Sequence, residues 1–296
     1  MAGKSNKDKR NEGHEGNGQK EGIVIRSVGA STRVKTAQGE IFECTIRGKF
    51  RIKGINATNP VAVGDQVVFS PTNDEEGVIR KILPRKNYIL RRAISQSRKV
   101  HILAANIDQA LLLFTVNHPV TSTGFADRFL VTTEAYHIPT RIIINKVDQI
   151  ETEEDKTRLA EVKETYEKIG YEVITVSAID DSYRNEVERL LADKVSFIGG
   201  HSGAGKSTLI NLIDPDLNIK TSEISGYSKK GVHTTTYAEM HPLSIGGYII
   251  DSPGIKELGI IDFERNDLSH YFPEMRERLH DCKFSDCIHI NEPIVQ

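Results

Sequence analysis

The stretch from Gly200 to Ser207, Gly-His-Ser-Gly-Ala-Gly-Lys-Ser, constrains this chain more than any other. It fits G-x-x-x-x-G-K-[ST] in the setting where that pattern works, with the apolar run Val195 to Ile198 entering and Leu209-Ile210-Asn211-Leu212-Ile213 leaving as a helix. The glycines let backbone N–H groups turn toward a polyphosphate, and the helix N-terminus adds positive potential. Lys206 is placed to reach the outer phosphates, and the Ser207 hydroxyl can hold Mg²⁺. Gly200, His201, Ser202, Gly203, Ala204, Gly205, Lys206, Ser207 and Thr208 are therefore the expected phosphate-binding residues.

The rest of the chain divides around this loop. Residues from Met1 to about Glu21 have almost no apolar content and are expected to form a disordered tail. From Gly22 to about Pro84 short alternating segments are separated by turn residues, which predicts a small all-β unit of about five strands, with an OB-like barrel as the economical closure. The texture then becomes α/β. Strands are expected at Gln109 to Val116, Arg141 to Asn145, Glu172 to Val176, Val195 to Gly199 and Tyr248 to Asp251. Helices are expected at Phe125 to Tyr136, Glu151 to Ile169, Tyr183 to Leu191 and Lys206 to Ile213, which implies a parallel sheet covered on both faces. The expected boundaries are 1–21 for the tail, 22–92 for the barrel, 93–271 for the α/β domain and 272–296 for a short terminal segment. Pro84 to Lys99 reads as a basic connector.

Charge follows the same division. Gly22 to Arg92 holds 13 Lys/Arg against 6 Asp/Glu, net +7, whereas Ala93 to Gln296 holds 21 against 31, net −10. A basic module on an acidic remainder fits a polyanionic partner, nucleic acid first. Within it Arg47, Lys49, Arg51 and Lys53 alternate, so an extended strand would put all four on one face as candidate RNA-binding residues; a solvated, lysine-guarded strand edge is the other reading. Three cysteines, Cys44, Cys282 and Cys287, offer no disulfide framework, so a reducing cytoplasm is expected. The longest apolar stretches, such as Ala110 to Val116, are too short to cross a bilayer, so no membrane association is expected.

A second motif selects the base. Asn145-Lys146-Val147-Asp148 closes an apolar strand and matches N-K-x-D, in which a carboxylate accepts two hydrogen bonds from the guanine N1–H and exocyclic amine. Asp148 is assigned that role, Asn145 braces the loop, and Lys146 packs its stem over the base. Ser177 and Ala178, after another strand, match the S-A-x element whose backbone meets the guanine oxygen. Downstream, Asp251-Ser252-Pro253-Gly254 matches D-x-x-G, whose Asp approaches Mg²⁺ through water and whose Gly senses the γ-phosphate. Between these lies a polar stretch with Thr234, Thr235 and Thr236; Thr235 or Thr236 is expected to complete the Mg²⁺ shell.

The order of these motifs is itself informative. In ordinary GTPases the P-loop comes first, but here N-K-x-D and S-A-x precede it, so the domain reads as circularly permuted. Together with Phe125-Ala126-Asp127-Arg128-Phe129-Leu130, these motifs resemble the ribosome small-subunit-dependent GTPase A family. The resemblance spans Gly22 to about His289. It implies an OB domain, a permuted P-loop GTPase domain, a zinc-binding C-terminal segment, and GTP hydrolysis stimulated by the small ribosomal subunit during its late maturation. It also implies GTP and GDP as ligands and rRNA as a contact; a monomer is expected.

Two positions depart from common patterns. Ile255 follows Gly254 where many GTPases carry a water-orienting glutamine, and His233, within a family-like Gly-x-His-Thr-Thr pattern, is the candidate replacement. Cys282, Cys287 and His289 form C-x₄-C-x-H, which suits Zn²⁺ and resembles the family's zinc segment, but Val295 stands where a fourth ligand is expected. The function expected is that of a GTPase in late small-subunit maturation. The rivals are a P-loop small-molecule kinase and a GTP-dependent RNA-binding module with little turnover.

Overall fold

The computed structural model describes residues 18–46, 59–92, 100–217, 219, 238–251 and 265–281. Between Lys20 and Ile82, alternating apolar and polar residues form β1 (Lys20–Val28), β2 (Ser31–Thr36), β3 (Ile41–Ile46), β4 (Gln66–Pro71) and β5 (Glu76–Ile82). β1 pairs with β2, β2 with β3 and β4 with β5 in antiparallel fashion, β3 runs parallel to β5, and β4 returns to β1. The ring closes into the expected OB-like barrel, which leaves no free sheet edge along the closed ladder. Val24, Val34, Phe42, Cys44, Val67, Phe69 and Ile79 fill it, none more than 3% exposed. Arg47, Lys49, Arg51 and Lys53 lie outside the described residues.

Two strands follow that sequence periodicity did not single out. β6 (Tyr88–Arg92) and β7 (Val100–Ala105) pair antiparallel, with Arg92 opposite Val100, so the basic connector is half of a hairpin. Leu90 packs there with Ala62, Val100 and Ile102, a long-range contact that a local reading does not reveal.

The α/β domain comprises β8 (Gln109–Phe114), α1 (Thr123–Ala135), β9 (Thr140–Ile144), α2 (Glu153–Ile169), β10 (Glu172–Thr175), α3 (Arg184–Leu191), β11 (Val195–Gly200), α4 (Lys206–Ile213), β12 (Glu239–Pro242) and β13 (Tyr248–Asp251). Local chemistry sets the helix ends. The Ser122 hydroxyl accepts from Phe125 N–H at the start of α1, Thr152 accepts from Asp155 N–H at the start of α2, and Gly170, at φ 106°, ends α2.

In space the strands run β10-β9-β8-β11-β13-β12. The first five are parallel, and β12 is antiparallel to β13. Strand residues alternate between two cores. Leu112, Phe114, Ile142, Ile144, Phe197 and Ile250 pack with Phe125 and Phe129 of α1 and Val162 and Tyr166 of α2. Leu111, Leu113, Ile143, Ile198 and Ile249 pack with Val187 and Leu190 of α3 and Leu209 and Ile210 of α4. Fully burying one such side chain contributes about 1.5–3 kcal/mol, and helices on both faces leave the carboxyl ends of the strands as the open rim.

Barrel and α/β domain are fastened together. β1 pairs with β12 at Arg26 and Glu239, and the Lys35 ammonium lies 5.7 Å from the centre of the Tyr248 ring. Gly64 N–H donates to Val24 O, Ala105 N–H donates to Val63 O, and the Asn106 amide donates to Gly64 O. A Cβ on Gly64 would stand 2.1 Å from Ala105 O, so only glycine allows this approach. Asp65, fully buried, takes two 2.6 Å hydrogen bonds from the Arg85 guanidinium. At the other end α5 (Pro273–Arg276) meets α1 through an Arg276–Glu134 ion pair at 3.2 Å.

Candidate nucleotide-binding site

Four motif loops converge on the carboxyl rim. Gly200 ends β11 in the middle of the sheet, Asn145 follows β9, Ser177 follows β10 by one residue, and Asp251 ends β13. Parallel pairing forces the convergence, because every strand presents its C-terminal loop to the same edge.

The phosphate loop is shaped by its glycines and by what lies behind it. Gly205 takes φ 98° as the cap of α4, and a Cβ there would meet Asn145 Nδ2 at 2.3 Å. Gly199 is pressed on Phe129, and a Cβ there would lie 2.2 Å from the ring. The His201 ring stacks on Phe125, with centroids 4.1 Å apart. The segment Phe125 to Leu130, recognised in the sequence without a role, is thus the back wall of the loop. Only the aromatic character of Phe125 and Phe129, one helical turn apart, hinted at this.

Lys206 donates to the carbonyls of Gly200 and His201, at 2.9 Å each. Burial lowers its pKa, with Asp251 opposing that effect. Burial likewise raises the pKa of the Asp251 carboxyl, and Lys206 and then His241 oppose it. A half-buried lysine facing a half-buried carboxylate at a helix N-terminus is suited to a ligand that carries both negative charge and a divalent cation.

Asn145 joins the loops. It is 2% exposed; its amide donates to Ala204 O at 2.8 Å in the phosphate loop, and its Oδ1 accepts from Ala178 N–H at 3.0 Å in the S-A-x loop. Asp148 sits exposed in the turn Val147–Gln149, with its Oδ1 accepting from the Ser177 hydroxyl. Lys146 enters that turn at φ 66°, a left-handed conformation, and its ammonium donates to His118 O at 2.6 Å. Ser177 and Ala178 are buried, 2% and 5% exposed.

Ser202 is exposed in the loop, and Ser207 and Thr208 stand in the first turn of α4. Two hard oxygen donors, the Ser207 hydroxyl and the Asp251 carboxylate, suit Mg²⁺ rather than a softer metal. Half-buried with its pKa raised, Asp251 is a carboxylate that a nearby cation would favour in its charged form. His233, Thr235, Thr236, Gly254, Cys282, Cys287 and His289 lie outside the described residues. No cluster of three or more His, Cys, Asp or Glu suited to a metal occurs among the described residues. Sequence reasoning missed the loop Asn117 to Thr121, which reaches both the base turn and the phosphate loop.

The chain is similar to known proteins in sequence and in fold. The family model described as RsgA GTPase matches residues 82–261, and the RsgA N-terminal domain matches residues 21–79. A small ribosomal subunit biogenesis GTPase RsgA from Christiangramia forsetii is 50% identical over 279 residues, covering 92% of this chain and 87% of that protein. Its counterpart from Phocaeicola vulgatus is 48% identical over 272 residues, with the same coverage of 92% and 87%. Among solved structures, YjeQ from Thermotoga maritima superposes with a TM-score of 0.72 at 34% identity, covering 93% of this chain and 88% of that one. YloQ, described as a circularly permuted GTPase, gives a TM-score of 0.69 at 31% identity, with coverage of 96% and 88%.

Proposed function

The chain belongs to the RsgA GTPase family, and from that premise we propose how its residues divide the work of a GTP hydrolase in small ribosomal subunit biogenesis. The reaction is attack of water on the γ-phosphate of GTP, giving GDP and inorganic phosphate. Asp148 reads guanine, and Asn145 holds the base loop and phosphate loop in register. The loop amides from Gly200 to Thr208 and the Lys206 ammonium neutralise charge on the phosphates, which is where most of the rate of phosphoryl transfer originates. Mg²⁺ would be held by Ser207, Asp251 through water, and Thr235 or Thr236, and would supply further neutralisation of phosphate charge. Ile255 has no polar group to orient the attacking water, so His233 is assigned that task, and Gly254 senses the γ-phosphate. Full subunit-stimulated turnover in His233→Ala would remove this assignment.

The basic barrel is the proposed rRNA contact through Arg47, Lys49, Arg51 and Lys53, with the protein acting as a cytoplasmic monomer. No helix among the described residues is long and apolar enough to cross a membrane. Cys282, Cys287 and His289 supply three of the four ligands that a structural zinc takes, and metal analysis of the purified protein, with Cys282→Ser as control, decides whether the ion is held.

The observation that carries this reading is the Asn145 bridge. One buried side chain links a guanine-selective turn, the S-A-x loop and a phosphate loop that comes later in the chain. A small-molecule kinase would need no guanine-selective carboxylate, so loss of guanine selectivity in Asp148→Asn separates the two. Measuring GTP hydrolysis with and without small ribosomal subunits, across a salt series, tests the whole: stimulation that fades with salt is expected, and no stimulation at any salt refutes the mechanism.

A further inference from the structure

The base-reading turn is held in an unfavourable backbone conformation. Lys146 adopts φ 66°, which costs a non-glycine residue of order 1 kcal/mol and persists only where the surroundings over-determine it. On one side the holding groups belong to the S-A-x region: Val147 N–H donates to Val176 O, and the Ser177 hydroxyl donates to Asp148. On the other side they come from the loop that follows β8. The Asn117 amide donates to Gln149 O at 2.8 Å, and His118 O accepts from the Lys146 ammonium.

This loop is itself rigid. Thr115 and Thr121, both fully buried, exchange two hydrogen bonds, Thr115 N–H to the Thr121 hydroxyl at 3.0 Å and Thr121 N–H to Thr115 O at 2.9 Å, and the Thr115 hydroxyl donates to Pro119 O. The loop also touches the phosphate side, since a Cβ on Gly203 would stand 3.5 Å from Pro119 Cδ.

We propose that Asn117 is a positioning residue for guanine specificity: its amide clamps the far end of the turn that carries Asp148, so that the carboxylate meets both the N1–H and the exocyclic amine of the base. The proposal rests on Asp148 reading guanine. Hypoxanthine keeps N1–H but lacks the amine, so the ratio of GDP to IDP affinity reports whether the second hydrogen bond is aligned. A residue that merely supports the fold would weaken both nucleotides by the same factor.

The experiment measures equilibrium binding of GDP and IDP to the full chain in four forms: unmodified, Asn117→Ala, Asn117→Asp and Asp148→Asn. The unmodified protein is expected to favour GDP by about tenfold or more, the worth of one charge-assisted hydrogen bond. Asn117→Ala should lose most of that preference, by weakening GDP about tenfold and IDP much less. Asn117→Asp keeps the volume but has no donor, and should behave like the alanine variant. Equal losses for GDP and IDP, or no loss, in both Asn117 variants overturns the proposal. If Asp148→Asn loses the GDP preference while the Asn117 variants keep it, guanine reading by Asp148 stands and the clamp fails. If Asp148→Asn also keeps the preference, the assignment of Asp148 itself is refuted.

Discussion

Replacing Asn145 with alanine should untie three loops at once. The side chain is 2% exposed, and its two hydrogen bonds reach backbone groups of Ala204, fully buried, and Ala178, 5% exposed. Truncation leaves the Ala204 carbonyl and the Ala178 N–H without this partner, where water has little access. A buried polar group stripped of its partner costs about 1–3 kcal/mol, so the pair totals about 2–6 kcal/mol. At about 1.4 kcal/mol per tenfold, the lower end already corresponds to about 30-fold in an equilibrium constant. That loss divides between folding stability and nucleotide affinity, so the assay needs both: titration with a fluorescent GDP analogue, and thermal unfolding with and without GDP. Asn145→Asp is the sharper control. It keeps an acceptor for Ala178 N–H but turns a carboxylate oxygen toward Ala204 O, so it should do no better than alanine. Affinity within threefold of the unmodified protein together with an unchanged Tm would refute the bridge.

Other perturbations follow from the same contacts. Gly205→Ala places a methyl 2.3 Å from Asn145 Nδ2 at a backbone φ of 98°, so it should abolish GDP binding in the same titration. Arg85→Met strips the buried Asp65 of its counter-charge and should lower stability to urea by about 3–5 kcal/mol. Adding Asp65→Asn should recover part of that loss, because the amide oxygen still accepts from Ala62 N–H, as Asp65 does at 2.8 Å, and carries no charge. Burial pushes the Cys44 thiol up to about 11, above its ordinary value of 9.0. The folded state therefore holds its proton more tightly than the unfolded state; the stability this confers is complete below pH 9.0 and is lost as pH rises through about 11. Urea melts across that window should show the decline, and Cys44→Ala should make it shallower, most clearly between pH 9 and 10, below the range in which the buried tyrosines Tyr166 and Tyr171 add the same sign.

Much of the site was legible from local pattern. G-x-x-x-x-G-K-[ST] works only between a strand and a helix, and that is where β11 and α4 stand. The five barrel strands followed from alternation, since a strand half-facing a core repeats every two residues. β6 and β12 escaped for the opposite reason. Tyr88 to Arg92 is basic at one end and reads as a connector until β7 pairs with it, and Glu239 to Pro242 is four residues ending in proline, too short for the alternation of Met240 with Glu239 and His241 to register. Phe125 and Phe129 were recognised as a segment, but their contacts with His201 and Gly199 cross 76 and 70 positions of chain and have no periodic trace.

By itself the sequence displayed the motifs and their order: G-x-x-x-x-G-K-[ST] with Lys206, N-K-x-D with Asp148, and a permuted arrangement that puts N-K-x-D first. These depend on residue type and short spacing, which a linear string displays. The tertiary structure alone decided how the parts are held. Asn145 spans from the end of β9 to Ala204 and Ala178, Asn117 reaches Gln149, and the barrel meets β12 through Arg26 and Glu239. Each of these is a contact between groups distant in sequence, those of Asn145 and Asn117 at the rim where parallel strand pairing gathers the loops, that of Arg26 and Glu239 in the antiparallel pairing of β1 with β12, and no local propensity encodes it.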